Sequence, residues 1–205
     1  MPKSRFVLTA VLCSILLAGC GGTTVNRPPG SSGTFSFEND LQGWTPRATD
    51  VFEAGNPPAV ATWSIQPSQE RASDGGSSLR LTVSNLTDAA KVWIERDFTV
   101  TPNRRYRVKV QYALASADFG DINLWRIITG VAPSSPQTRD DLTYQDTTGN
   151  GSDAPGGYTW LEKNYDLDAT SGADGRLYVT IGVWGTSEHP RTYYLDNVRI
   201  TISPQ

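Results

Sequence analysis

The chain has 205 residues and a formal net charge of −3 at pH 7, which leaves room for one domain and shows no basic excess. This acidic balance argues against a nucleic acid as a partner. Both cysteines, Cys13 and Cys20, lie at the N-terminus, so the rest of the chain can form neither an intramolecular disulfide nor a thiolate metal site.

The first residues have the pattern of an export signal. Lys3 and Arg5 are followed by an apolar run over 6–18, which is shorter than the roughly 20 residues that cross a bilayer. The run ends in Leu-Ala-Gly-Cys at 17–20, which resembles the bacterial lipobox, where the cysteine receives lipid. An ordinary signal peptide with a coincidental cysteine is the alternative.

The lipobox predicts a lipoprotein of the cell envelope. We expect a signal peptide over 1–19, a lipidated Cys20 at the head of a flexible linker over 20–33, and membrane attachment through the acyl (palmitate-type) anchor alone. The linker is rich in Gly, Thr, Ser and Pro, so it has too little apolar surface to fold. Gly21 after the cysteine resembles the pattern sent to the outer membrane, if the cell is diderm.

From residue 34 onward the apolar residues recur with a period of two and no amphipathic helix is evident. The clearest alternation lies within 105–114 and 176–184, where apolar residues share one face. Many antiparallel strands of this kind predict two packed sheets in a single all-β domain over 34–205. The candidate strands are 34–38, 59–65, 78–84, 91–100, 105–115, 121–129, 158–167, 176–184 and 193–202.

The segment 132–157 interrupts this rhythm with several prolines and glycines. A long loop inside a compact domain is uncommon and often functional. A tolerated surface insertion is the equally acceptable alternative, so the sequence leaves the role of this segment open.

Three segments resemble a known family when taken in order. The Phe-Glu and Gly-Trp pairs within 35–44, the Ser-rich turn and strand at 71–81 and the Tyr-Tyr-Leu-Asp-Asn-Val strand at 193–200 resemble carbohydrate-binding modules. The resemblance implies a two-sheet antiparallel β-sandwich, a galactose-binding-domain-like jelly roll. It also implies a non-catalytic protein with a polysaccharide or oligosaccharide as partner.

The same resemblance implies a structural Ca²⁺. In this family a carboxylate near each end of the domain helps to hold the ion, and these carboxylates correspond to Glu38 and Asp196. Backbone carbonyls of the turn at 73–78 complete the shell in the family, which suits a hard ion with six to eight oxygen ligands. The alternative is that Glu38 is simply exposed and that Asp196 hydrogen-bonds a turn.

Aromatic side chains are the candidate ligand contacts, because a Tyr or Trp ring can stack on the apolar face of a sugar. For each of them, packing within a sheet is the alternative. Trp44 and Trp160 are instead predicted to lie in the core. The candidate ligand-binding residues are Trp184, Tyr178, Trp125, Trp93 and Trp63.

No arrangement typical of an enzyme is evident. The single His189 lies beside a proline with no triad around it, and Glu95 and Asp97 are read as solvated charges of one strand face. We therefore expect a glycan-binding lipoprotein. The alternative is a structural or assembly lipoprotein that binds envelope proteins rather than glycans.

Overall fold

The computed structural model describes residues 32–55, 57–84, 86–117, 126–149, 157–185 and 190–205. Within these ranges the chain forms thirteen strands and one 3-10 turn, at Arg139–Asp141. The strands are β1 (Gly33–Phe35), β2 (Thr45–Thr49), β3 (Phe52–Glu53), β4 (Ala59–Val60), β5 (Trp63–Ser68), β6 (Ser78–Val83), β7 (Lys91–Thr99), β8 (Arg105–Ala117), β9 (Arg126–Ala132), β10 (Tyr144–Thr147), β11 (Tyr158–Thr170), β12 (Arg176–Trp184) and β13 (Arg191–Pro204).

Two antiparallel sheets contain most of these strands. Sheet I has the order β11-β8-β13-β6-β5, and β1 also pairs with β13, beyond the point where β6 ends. Sheet II has the order β10-β9-β12-β7-β2. The short strands β3 and β4 pair only with each other. The chain is a two-sheet antiparallel β-sandwich of jelly-roll type, as the sequence predicts.

The core lies between the sheets and follows the alternation of the sequence. Every second side chain of β8 and of β12 points inward, because successive residues of a strand face opposite sides. All of the following are at most 2% exposed and belong to one core cluster: Tyr106, Val108, Val110, Tyr112, Leu114, Leu177, Val179, Ile181 and Val183.

The sequence does not predict two short strands that lie at the edges of a sheet. No strand was predicted over β2, which contains Pro46, or over β10, which lies within the expected loop at 132–157. Both are edges of sheet II, where a proline is tolerated and pairing with a single neighbour suffices. The predicted strand 59–65 is two strands, β4 and β5, which belong to different sheets.

The sandwich has two distinguishable ends. β12 ends at Trp184 and β13 begins at Arg191, so the connection between them marks one end, which we call the loop end. Gly33 pairs with Ile200 near the other end of β13, so the chain enters the domain from the opposite, entry end. The predicted signal peptide and Cys20 lie outside the described residues. Among the described residues, no helix is long and apolar enough to cross a membrane.

Candidate functional site

The outer face of sheet II brings three of the predicted ligand residues onto one surface. Trp184 pairs with Lys91, Gly182 with Trp93, and Tyr178 with Asp97, so the three aromatic side chains point away from the core. The alternation of β12 predicts this shared face for Trp184 and Tyr178. The structure adds Trp93 from the neighbouring strand.

Part of this face lies under the chain itself. Residues 133–144, which we call the cover segment, run over sheet II before β10 joins its edge. Leu142 packs with Trp93 and Ile128 in a small apolar cluster, and Tyr144 packs against it. As a result Trp93 is only 1% exposed and presents no open ring surface. The segment predicted as a long loop therefore builds part of the surface that surrounds the candidate site.

Glu95 is buried beneath the same segment. Its carboxylate accepts hydrogen bonds from Arg47, at 3.1 and 3.2 Å, and from the Ser135 hydroxyl, at 2.8 and 2.9 Å. The expectation that Glu95 is a solvated strand charge is wrong, because it is 4% exposed. Asp97, the next outward carboxylate of β7, is ion-paired with Arg176. Neither carboxylate lines the aromatic pocket at the loop end.

That aromatic pocket is centred on Trp184. The ring of Trp184 lies 5.5 Å from that of Tyr144 at an interplanar angle of 57°. Lys91, Arg139 and Asp140 complete the lining of a cavity of about 320 Å³. The side chains of Arg139 and Asp140 are 64% and 89% exposed and lie 3.8 Å apart as an ion pair at the rim, where a ligand can reach both. The pocket thus combines two rings with a cation and a carboxylate at its rim.

Hydrogen bonds and an ion pair fix the inner side of this pocket. Trp184 Nε1 donates to the carbonyl of Asp88 at 3.2 Å, and the Lys91 ammonium lies 4.6 Å above the Trp184 ring. Lys91 is itself held by the Asp50 carboxylate at 2.7 Å. Burial, followed by the charge of Asp50, raises the pKa of Tyr144 to about 12. The aromatic walls are therefore preorganised.

The remaining predicted ligand residues lie elsewhere. Trp63, which is 36% exposed, is on β5 at the far edge of sheet I, opposite Val83, and so does not share the Trp184 surface. Tyr178 is half-buried on the outer face, six residues before Trp184 on β12. Trp125 and His189 lie outside the described residues.

The two tryptophans predicted to be in the core have different positions. Trp44 is buried and packs edge-on against Phe35, with ring centroids 5.4 Å apart, as predicted. Trp160 is half-buried on the outer face of sheet I, where it pairs with Ala115, so its assignment to the core is wrong. Its strand is an edge of the sheet, and only the alternate residues of β11 face inward.

Sequence reasoning missed four of the five pocket residues: Lys91 of β7, and Tyr144, Arg139 and Asp140. The last three come from the cover segment, which has no apolar periodicity of its own. One local signal in the sequence indicates the 3-10 turn that carries Arg139 and Asp140. Thr138 is followed three residues later by Asp141, the spacing of a capping box. In the structure the Asp141 carboxylate accepts hydrogen bonds from the N–H and hydroxyl of Thr138.

The two carboxylates of the predicted calcium site meet at one turn. Asp196 Oδ2 accepts hydrogen bonds from the Ser73 N–H and hydroxyl and from the Asp74 N–H, at 2.8 to 3.1 Å. Glu38 accepts from the Gly76 N–H at 3.0 and 3.2 Å. A Cβ at Gly75 would clash with the Glu38 carboxylate, so the turn leaves room for this carboxylate only with glycine there.

The two carboxylates are ligands of the kind that a hard cation takes, and in this structure N–H groups of the turn donate hydrogen bonds to both. Within the described ranges no three His, Cys, Asp or Glu side chains cluster as a metal site. Glu38 and Asp196 would therefore need backbone oxygens of the turn to complete a shell, as the family resemblance implies. Calcium stays a prediction.

No protein-family model and no curated protein matches the chain. Its fold is similar to that of two adhesin domains. The K2 cleaved adhesin domain of Lys-gingipain is 18% identical with a TM-score of 0.54, over 84% of this chain and 99% of that one. The K1 domain of Lys-gingipain from Porphyromonas gingivalis W83 is 12% identical with a TM-score of 0.50, over 84% and 98%.

Carbohydrate-binding modules are also among the similar structures. The CBM22-1 xylan-binding domain of Xyn10C from Paenibacillus barcinonensis is 15% identical with a TM-score of 0.46, over 84% of this chain and 95% of that one. At such identities the likeness concerns the β-sandwich fold alone, since one fold hosts many functions.

Proposed function

We propose that this chain is a non-catalytic glycan-binding lipoprotein of the cell envelope. The observation that carries the proposal is the pocket in which Trp184 and Tyr144 stand beside the exposed Arg139 and Asp140. Aromatic rings stack on the apolar faces of pyranose rings, and a guanidinium and a carboxylate at the rim hydrogen-bond sugar hydroxyls. The ligand class is therefore a polysaccharide or oligosaccharide.

The lining of the pocket supports binding rather than hydrolysis. Glycoside hydrolysis generally uses two carboxyl groups on either side of the scissile bond. Among the described residues that line the pocket, Asp140 is the one carboxylate. Glu95 is engaged by Arg47 and Ser135 beneath the cover segment, where it does not reach this cavity.

The test is binding to a polysaccharide panel that includes xylan and β-1,4-galactan. Trp184→Ala removes one wall of the pocket, and we expect at least a roughly tenfold loss of affinity for the retained glycan. Trp63→Ala is the matched control, because it removes an exposed tryptophan from the other sheet. Failure of the unaltered chain to bind any member of the panel, or an equal loss in both variants, would contradict the proposal.

We further propose that Cys20 anchors the domain through lipid, in the outer membrane if the cell is diderm. The lipobox at 17–20 and the linker that follows support this proposal. Gly33 enters at the end of the sandwich opposite Trp184, so the pocket would lie at the end of the domain farther from the anchor. Cys20→Ser should release the protein from the membrane fraction, and retention there would contradict lipid anchoring.

A structural Ca²⁺ held by Glu38 and Asp196 is the third part of the proposal. Its support is that carboxylates from β13 and from the residues after β1 converge on the 73–76 turn. When bound, the ion would tie this turn to both ends of the domain, which lacks disulfides. Its role would be stability rather than catalysis.

A protein-binding role in envelope assembly is the alternative, and one surface favours it. Phe52 and Val60 face each other across β3 and β4 and are 62% and 50% exposed. Exposed apolar residues grouped in this way are typical of interaction sites. Capture of a defined envelope protein by the wild type and not by Phe52→Ser, together with no glycan binding, would favour this alternative.

A further inference from the structure

The outer face of sheet I holds a polar pocket that the proposed function does not use. Its register places Asn164 opposite Gln111, and Gln111 opposite Arg199, in one row across β11, β8 and β13. Glu162, two residues before Asn164, lies on the same face. With Asn197 these side chains surround a cavity of about 220 Å³.

A β-bulge in β13 shapes this pocket. Between the pairs Asp196–Ala113 and Arg199–Gln111, β13 has one residue more than β8. Asn197 occupies the bulge with a φ of 51°, a left-handed conformation that asparagine tolerates better than most residues. Bulges re-aim side chains, and this one places Asn197 at the pocket wall. The side-chain oxygen Oδ1 of Asn197 accepts a hydrogen bond from Arg199 Nε at 3.2 Å.

The polar side chains around the pocket have unused hydrogen-bonding capacity. Within the described part of the chain, the side chains of Gln111, Glu162 and Asn164 make no hydrogen bond or ion pair, and Arg199 uses only its Nε toward Asn197. Both donors and acceptors therefore line one cavity. A ligand whose groups both donate and accept, such as a chain of sugar hydroxyls, matches this set. The Glu162 carboxylate disfavours an anionic ligand.

An aromatic ring lies next to this polar set. Trp160 is on the same face of β11, two residues before Glu162, and pairs with Ala115. Ala113 and Ala115, the β8 partners of Glu162 and Trp160, are fully buried beneath the side chains around them. At about 3.3 Å per residue, Trp160 and Asn164 lie about 13 Å apart along the strand, enough for an oligosaccharide rather than one sugar.

We propose that this face is a second glycan-binding site, for a neutral oligosaccharide, with Trp160 as its stacking ring. Gln111, Glu162, Asn164 and Arg199 would be its hydrogen-bonding groups. The ligand class rests on the proposed function, but the site lies on the opposite sheet from the Trp184 pocket and shares no residue with it. The domain would then engage glycan on both faces.

The test compares variants of the full chain on xylan and β-1,4-galactan. The double variant Glu162→Ala with Asn164→Ala removes two of the four hydrogen-bonding side chains. Asp166→Ala, the next outward residue of β11, is the matched control. We expect at least a tenfold loss of affinity for one polysaccharide in the double variant, no change in the control, and residual binding in Trp184→Ala.

The outcomes separate this inference from the proposed function. Loss in Trp184→Ala alone, with the double variant binding as the wild type does, overturns the second site and leaves the first. Loss of binding in the double variant alone supports the second site and contradicts glycan binding at the Trp184 pocket. No binding of the wild type to xylan, β-1,4-galactan or any other member of the panel overturns both proposals, and circular dichroism of each variant verifies that it is folded.

Discussion

Asp196 illustrates how a single residue can hold distant parts of this fold together. It is fully buried in β13, and its two oxygens accept hydrogen bonds from Ser73, Asp74 and Asn197. More than one hundred residues of sequence separate Asp196 from the turn that contains Ser73 and Asp74. The carboxylate therefore ties the turn before β6 to the strand that closes the sheet.

Replacing Asp196 by asparagine should therefore destabilise the domain. The amide keeps one acceptor but turns a donor toward N–H groups of the turn, so we expect unfolding free energy to fall by about 3 kcal/mol in chelator, as for a lost charged hydrogen-bond acceptor. Asp166→Asn, an exposed change on β11, should have little effect. Denaturant unfolding measures both.

The calcium proposal adds a second readout to the same pair of variants. Added calcium should raise the melting temperature of the wild type and of Asp166→Asn, because an ion that binds only the folded state stabilises it. It should leave Asp196→Asn unchanged. An equal calcium effect in all three proteins would mean that the ion binds elsewhere.

At the site, the sequence predicts which face of its strand a side chain occupies, but it does not predict which distant residues that side chain contacts. The alternation of β12 places Trp184 and Tyr178 outward, as the structure has them. Nothing local identifies Tyr144 as the ring beside Trp184, because that contact joins residues forty positions apart. Trp93 was a reasonable candidate on its strand, but the burial of its ring depends on Leu142 from another segment.

The cover segment is the element whose behaviour bears most directly on the proposed site. Leu142 packs on Trp93 and Ile128, and the carbonyl of Thr143 accepts a hydrogen bond from the Thr129 N–H at 3.1 Å. In addition, the Ser135 hydroxyl of the segment donates a hydrogen bond to the Glu95 carboxylate. The segment is thus held to sheet II by one small apolar cluster and a few hydrogen bonds.

Leu142→Ala should loosen this segment while leaving the main core intact. The cost should lie near the lower end of the range for buried leucines, about 2 kcal/mol, because the side chain is near the surface and its site can partly collapse. Hydrogen exchange of the Thr129 amide should accelerate, since its acceptor belongs to the segment. Amides of β8, such as Val110, are the internal control. Unchanged protection of Thr129 would show that Leu142 does not hold the segment.

The sequence does not predict β2 and β10, because both strands depend on contacts with distant parts of the chain. β2 reads Thr-Pro-Arg-Ala-Thr and β10 reads Tyr-Gln-Asp-Thr, with few apolar residues in either. Each becomes a strand because a long neighbour, β7 or β9, offers free backbone groups at the sheet edge. The long strands β8 and β12 were predictable because both carry an apolar stripe of their own.

At the scale of the whole molecule, carboxylates of one edge strand in each sheet, β11 and β10, are bound by side chains of neighbouring strands. Asp168 of β11 is bound by Arg107 and Arg105 of β8, at 3.1 Å in each case. Asp146 of β10 accepts from Lys163 at 2.8 Å and from the Tyr165 hydroxyl at 2.5 Å, and so joins the edge of sheet II to the edge of sheet I. Both carboxylates serve the fold in ionised form.

These contacts lower the pKa values of their carboxyl groups. The hydrogen bond from Arg107 is the main cause at Asp168. At Asp146, burial alone would raise the pKa, but the bonds from Lys163 and Tyr165 outweigh it. Asp141, which caps the 3-10 turn, is lowered by the backbone N–H groups of Thr138 and Gln137.

The free energy of unfolding of the domain should therefore decrease as the pH falls. A carboxyl group whose pKa is lower in the folded state contributes stability above its unfolded pKa, and that contribution is lost as the pH falls through the folded value. We expect the urea midpoint to be steady near neutral pH and to fall progressively below about pH 4 to 5. Asp146→Asn should start from a lower midpoint and fall less steeply, because one of the linked protons is gone. A wild-type midpoint that stays constant to about pH 3 would mean that these edge contacts do not stabilise the folded chain.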